Sequence, residues 1–425
     1  MGLPFGLWFL APRRTIQRKK DDSIAYTKSD PPQEKSLPLS DQPDLTSFRG
    51  EWPVLLECVS PAFDTQRLAE LARSVDWSRL LILADEHGVL GHLAKCLREL
   101  DENVVPGEIR QALQERHRAQ VFSTLRITAE LFHLLGLFAT KNIEALVVKG
   151  PVLAMQAYGD PAMRSYGDLD LLVRHCDIRR ATETMMAHGY SAAVSLAAID
   201  AGKIPGQYLF TKSDPRLIVE LHNDRTLRYF PRRLPLEDLF RRRICVRLDG
   251  HEAPALSVED ELVYICVHGA THFWNRLSWI VDVAALVTRQ ATIDWPRVRK
   301  NADEVGADRM LNTGLQLASD MLQVQLSESV RAAVEQDTGA AKLAACVRAW
   351  LTSGTETSPT LFERAAFRLR MRGSGLAAPA YLLRLSLSPT EEDWEQGNPQ
   401  KEDKVRSLVR RPFRLVRKYG RSRQS

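Results

Sequence analysis

The hydrophobic period changes twice along this chain. In TLRITAELFHLLGLFATKN, Leu125, Ala129, Phe132, Leu135 and Phe138 recur at spacings of three and four, which predicts a helix with one buried stripe. The helical pattern runs from Pro61 to about Lys141, long enough for three or four helices, with Gly91 and Gly107 near breaks. Between Ile143 and about Asp249 the apolar runs shorten and the signal becomes mixed. EALVVK reads as a nearly all-apolar strand suited to a sheet interior, and DLDLLV as a second. Asp177 stands at the N-cap of a predicted helix whose Ile178, Ala181, Met185 and His188 share a side, and Gly189 closes it. GQYLFTK and PRLIVELH are extended runs about Ser213-Asp214-Pro215, a predicted hairpin turn, and RRRICVRLDG adds one more strand. After Pro254 helices return. Ser257 to Asp260 resembles a capping box with Asp in place of Glu, LSWIVDVAALV is a second helix, Asp294 caps a third, and more follow to about Ser353.

These patterns predict an α+β fold. A small mixed sheet with its helices occupies residues 142–252, flanked by an N-terminal helical region (51–141) and a C-terminal one (253–380). Residues 1–50 are polar and proline-rich without a sustained period and read as a disordered leader; residues 381–425 form a basic tail. The chain has 425 residues, 44% hydrophobic and 26% charged, an ordinary globular composition. Its net charge of +5 is uneven: residues 404–425 hold nine Lys/Arg and no acid, which leaves the first 403 residues at −4. The body thus carries no compositional sign of a nucleic-acid surface. The tail places Val405, Leu408, Val409, Phe413, Val416 and Tyr419 near helical spacing, interrupted at Pro412. It suits docking on the body with solvated charges, or peripheral contact with an anionic membrane or a partner.

Six cysteines (58, 96, 176, 245, 266, 346) lie far apart with no CxxC pair, as expected of buried free thiols in a reducing compartment. The N-terminal apolar run precedes its positive charges, the reverse of a secretory signal, and position 6 is Gly, so the myristoylation pattern is incomplete. No stretch reads as a membrane span, and the expectation is a cytoplasmic protein.

The candidate chemistry lies in ALVVKGPVLAMQAYGDPAMRSYGDLDLLV, residues 145–173. Asp168 and Asp170 alternate on a strand and so point to one face, where both can reach one cation. In-line transfer of a nucleotidyl group needs a positioned phosphate and neutralised charge, which divalent ions held by about three carboxylates supply. Mg2+ or Mn2+ with an NTP is the expected pairing, since hard cations take carboxylate oxygens. Glu220 in LIVELHND is the candidate third acid, on one face with Ile218 and His222; a carboxylate in so apolar a strand is costly unless paired or metal-bound. His222 is placed to orient Glu220 or touch the nucleotide. At Lys149-Gly150-Pro151 a strand meets a helix: Gly150 allows backbone to approach a phosphate, and the helix N-terminus offers amides to the anion. Lys149 can add charge to the same anion. Arg164 can meet the phosphates, or form a salt bridge with Asp160 or Asp168.

LVVKG, AYGDPAMRSYGDLDLLV and the downstream VELH together resemble the DNA polymerase β-type nucleotidyltransferase superfamily, within it the bacterial branch of uncharacterised nucleotidyltransferases. HGATHFWNRLSWIVDVAAL and SPTEEDW…RRPFRLVRKYG are similar to that branch too, so the resemblance covers roughly Pro61 to Tyr419. It implies a polymerase β-like core, transfer of an NMP from an NTP to an acceptor, and metal ligation by Asp168, Asp170 and Glu220. Gly150-Pro151 stands where the wider superfamily has Gly-Ser, so a serine contact to phosphate is missing.

Two other classes fit parts of the chain. A regulatory or assembly partner would keep the fold without turnover, and a glycosyltransferase would use Asp168-Leu169-Asp170 as its metal motif, but would build a larger α/β unit ahead of it. His268 and His272, four apart on a helix, lack the Glu of a zinc-protease helix and read as structural histidines packed against Trp274 and Trp279.

Overall fold

The computed structural model describes residues 50–373 except 102, 202–205, 213–216, 225–229, 291 and 353–358, and the backbone of two short strands. Those strands, β1 (Thr15–Arg18) and β2 (Ile24–Thr27), pair antiparallel inside a unit of their own, residues 1–44. The rest of the expected leader, the turn at Ser213-Asp214-Pro215 and the basic tail 381–425 lie outside the described residues. All that follows concerns the second unit, residues 45–425.

Its helical N-terminal region comprises α1 (Glu51–Val59), α2 (Thr65–Leu71), α3 (Trp77–Glu86), α4 (Leu90–Arg98) and the long α5 (Gly107–Ala139). Asp64 and Asp76 cap α2 and α3 by accepting amide N–H groups of the first turn. In α5 the buried stripe overlaps the expected one at Phe138, with Phe132 and Leu135 half-buried beside it. Ile127, Leu131, Leu134 and Phe138 are fully buried, whereas Leu125 is 53% exposed and Ala129 faces outward. Apolar residues lie on more than one side of this helix, so spacing alone does not choose the buried face. By length and composition α5 would suffice to cross a membrane, contrary to the expectation that no stretch would. Its inner stripe is packed on the sheet instead.

The chain then runs through β3 (Ala145–Val148), α6 (Gly150–Tyr158), β4 (Asp168–Val173), α7 (Ile178–Ala187), β5 (Ser191–Ala192), α8 (Leu196–Asp200), β6 (Gln207–Thr211), β7 (Ile218–His222), α9 (Leu236–Arg242), β8 (Ile244–Leu248) and β9 (His251–Ala255). Their seven strands form one mixed sheet in the order β5-β6-β7-β4-β3-β9-β8. β4/β7 and β3/β9 are parallel and the other pairs antiparallel. Where a single strand was expected before Pro254, a hairpin stands. Asp249 and Gly250 both have positive φ (+48° and +83°), which lets an Asp-Gly pair turn β8 directly into β9, and Pro254 falls within β9.

Alternation gives the sheet two different faces. Leu169, Leu171, Val173, Val219 and Leu221 pack with the α5 stripe and with Ile178, Ala181 and Met185 of α7. His188, expected on that side of α7, is exposed. Leu146, Val148 and Leu172 point the other way, toward Leu153 and Ala157 of α6 and the C-terminal helices. These are α10 (Val258–Thr271), α11 (Leu277–Arg289), α12 (Trp295–Val305), α13 (Asp308–Leu322), α14 (Glu328–Gln336), α15 (Thr338–Thr352) and α16 (Leu361–Arg370). Ser257 and Asp294 cap α10 and α12 as expected. All six cysteines are free; Cys58, Cys96 and Cys266 are buried, but Cys176 and Cys245 are exposed.

His92 of α4 is buried, edge-on to the Tyr158 ring at 5.0 Å, and burial lowers its pKa to about 4. A pKa depressed below the unfolded value of 6.5 makes this contribution complete above about pH 6.5 and lost as pH falls toward 4. By pH 5 the loss is about 2 kcal/mol. His92→Phe keeps an aromatic ring without a titratable group. Urea titrations at pH 7 and pH 5 should show it losing about that much less stability than wild type; equal losses would contradict the assignment.

Candidate functional site

β3 delivers the chain to Lys149, whose backbone is left-handed at φ +56° and ψ −143°, and then to Gly150 at φ +48°. A lysine in that conformation is uncommon and needs enforcement. Glu261 of α10 supplies it: its Oε1 accepts the Lys149 N–H at 3.0 Å, and the carboxyl is completely buried. That burial pushes the Glu261 pKa up to about 7. A Cβ added at Gly150 would meet nothing within 4 Å, so the turn opens onto free space at the start of α6, with Pro151 in its first turn.

The Lys149 side chain turns inward. Its Nζ lies 2.7 Å from Asp170 Oδ2 and 3.4 Å from His268 Nδ1. Parallel pairing of β4 with β7 puts Asp170 opposite Glu220 and Leu172 opposite His222. His222 Nε2 is therefore 2.8 Å from Asp170 Oδ1 and 3.3 Å from Glu220 Oε2. Glu220 Oε2 also accepts from Gln207 Nε2 at 2.7 Å, across the β6/β7 pair. One ligand atom from each of Asp170, Glu220 and His222 lies within 4.8 Å of the others, a spacing that one metal ion can span. Burial works against the charge on Asp170, but Lys149 and His222 overcome it and hold that carboxyl well below the usual range. Burial likewise works against His222⁺, yet its bonds to Asp170 and Glu220 raise its pKa to about 9.

Asp168 differs from its neighbour. It shares the face of β4 with Asp170 but has no ion pair or hydrogen bond among the described residues, and burial followed by the charge of Asp170 pushes its pKa up to about 6. An acid held in this state has something to gain from a cation. Asp170 and Glu220, with Asp168 on the same face of β4, offer hard carboxylate oxygens of the kind that Mg2+ or Mn2+ takes, while His222, whose Nε2 bonds both acids, orients them.

Arg164 is committed elsewhere. Its Nε donates to Asp282 Oδ2 of α11 at 2.9 Å, and Tyr158 Oη donates to Asp282 Oδ1 at 2.7 Å. Its acid partner is therefore neither Asp160 nor Asp168. His268 stands edge-on to Trp279 and His272 tilts against it, with ring centroids 5.2 and 5.4 Å away, so of the two tryptophans expected to pack these histidines Trp279 does so. The reach of His268 to Lys149 and the tie from Glu261 were not foreseen. Both come from α10, where residues 261, 265, 268 and 272 recur at helical spacing and line one side.

Residues 73–323 match the family described as "Uncharacterised nucleotidyltransferase". No curated protein matches the chain. Among solved structures, the crystal structure of an antigenic nucleotidyltransferase-like protein from Paracoccidioides brasiliensis aligns over 51% of this chain and 91% of that one, at 11% identity and a TM-score of 0.31. A match that takes in β3, β4 and β7 with the helices on both sides spans the whole acid pocket, and on it the chain belongs to the uncharacterised nucleotidyltransferase family.

Proposed function

We propose that this protein is a polymerase β-like, metal-dependent nucleotidyltransferase that moves an NMP from an NTP to an acceptor hydroxyl. One observation carries the reading: Asp170, Glu220 and His222 converge beside an unpaired Asp168, next to a glycine turn that faces open space. Asp168, Asp170 and Glu220 would hold Mg2+ or Mn2+, which neutralises phosphate charge as it develops. Gly150 lets the triphosphate approach the backbone. His222 and Gln207 fix Glu220, and Lys149 holds Asp170 in place. The acceptor oxygen bonds to the α-phosphorus as the bond to the bridging oxygen breaks; pyrophosphate leaves, and the hydroxyl proton passes to a carboxylate of the set. Incubation with each labelled NTP, Mg2+ or Mn2+, and hydroxyl acceptors should release pyrophosphate. No release with any nucleotide and either metal would refute turnover.

A second reading, nucleotide binding without transfer, draws on the Lys149 ammonium already bonded to Asp170. It predicts NTP binding that needs no divalent metal, whereas the transferase reading predicts binding that does.

Gly150→Ala is expected to weaken NTP binding. An alanine at φ +48° is strained by roughly 1 kcal/mol, and its methyl group enters the space left for the phosphate. The KM for NTP should rise with little change in kcat; an unchanged KM would remove the turn from the binding site.

A further inference from the structure

The loop from α10 to α11 departs from ordinary backbone at one place and carries one unpaired cation. Phe273 and Trp274 are consecutive left-handed residues, at φ +62° and +52°. Bulky side chains resist that conformation, so the surrounding core must impose it. The Trp274 ring is fully buried; a Cβ on Gly269 would come within 2.5 Å of it and one on Gly314 within 2.9 Å. This anchored turn brings out Arg276 just ahead of α11. The first amides of α11 are already used, since Leu277 N–H donates to His87 Nδ1 and Ser278 N–H to the His87 carbonyl. The arginine side chain is not. Arg276 is half-buried, and its guanidinium has no acid or hydrogen-bond partner among the described residues.

Its surroundings are those of the acid pocket. Trp279, three residues on, stands edge-on to His268, whose Nδ1 is 3.4 Å from Lys149 Nζ. Asp282, further along α11, holds Arg164, four residues before Asp168. Burial and then the charge of Arg164 lower the Arg276 pKa, with Asp168 acting against them, so Arg276 is close enough to sense both. Lys149 is committed to Asp170 and Arg164 to Asp282; of these three cations only Arg276 lacks an acid. Asp168 and Arg276 thus lie within reach of each other's charge, and among the described residues neither is in an ion pair. Desolvating a guanidinium with nothing bound to it is unfavourable, and planar N–H donors match phosphate oxygens.

We propose that Arg276 is a substrate-binding residue that takes the non-bridging oxygens of the polyphosphate tail of the NTP, across the pocket from the metal-holding acids. This assignment rests on the nucleotidyl-transfer reading above.

The test is calorimetric titration of the full chain with the four NTPs in turn and with inorganic tripolyphosphate, each with Mg2+, alongside thermal melts. Arg276→Met should bind tripolyphosphate and the NTP that wild type takes about 10- to 100-fold more weakly, with a melting temperature equal to wild type or higher, because no native bond is lost. Arg276→Lys should recover part of the affinity. Wild-type affinity in Arg276→Met overturns this proposal alone. So does weaker binding that comes only with a melt several degrees lower and is no better in Arg276→Lys, which makes the residue structural. A wild-type chain that binds none of these ligands overturns the proposal together with the reading beneath it.

Discussion

Asp168→Asn is expected to lower nucleotidyl transfer by about 10³-fold or more while leaving the melting temperature where it was or higher. A ligand to a charge-neutralising metal is worth several kcal/mol to the transition state, and each 1.36 kcal/mol is tenfold in rate. The folded state loses nothing by the change. Asp168 has no ion pair or hydrogen bond among the described residues, and its pKa of about 6 reflects the cost of keeping that charge half-buried beside Asp170. Asparagine keeps the shape and removes the repulsion. Asp170→Asn should behave differently. It removes the charge that Lys149 and His222 both face and turns one of the two accepting oxygens into a donor, so activity and stability should fall in step. Rates and melts on the two variants separate the roles; equal melting losses at both positions would contradict the assignment of Asp168.

Asp282→Ala is expected to destabilise the fold by about 3–5 kcal/mol, the cost of leaving a buried charge without its partner. Asp282 is buried and accepts from both Arg164 and Tyr158, so its loss strands a buried guanidinium and a phenol at once. These bonds tie α11 to α6 and to the segment leading into β4, so activity should fall with stability. Denaturant titration measures the loss. Adding Arg164→Met to Asp282→Ala should recover part of it, because the stranded charge is then gone. A loss below about 1 kcal/mol would show that the pair is not structural.

The acids were legible in the sequence because each lies in a short apolar strand, where a carboxylate stands out. Asp168, Asp170 and Glu220 need only strand alternation to share a face, and the pairing of Asp170 with Glu220 bears this out. Capping residues such as Ser257 and Asp294 were legible for a similar reason, as their bonds reach only three residues. What sequence could not supply came from contacts between distant segments. Glu261 meets the Lys149 amide across 112 positions, and Asp282 meets Arg164 across 118. No local spacing encodes either contact. The buried face of α5 is legible only in part, at Phe138, because both of its apolar stripes have helical spacing, and packing on the sheet selects Ile127, Leu131 and Leu134 over Leu125 and Ala129. The β8/β9 hairpin was missed through Pro254, which reads as a strand breaker yet stands within β9 behind an Asp-Gly turn.

The central claim is that the acid pocket beneath the Lys149-Gly150 turn binds a metal–nucleotide complex. Calorimetric titration of the four NTPs into wild type and into Asp168→Asn, with Mg2+ and then with EDTA, tests it most directly. At least one NTP is expected to bind wild type with Mg2+, and this binding to disappear with EDTA and in Asp168→Asn. Binding equally strong in EDTA or in the variant, or none in wild type with any of the four, would contradict the claim.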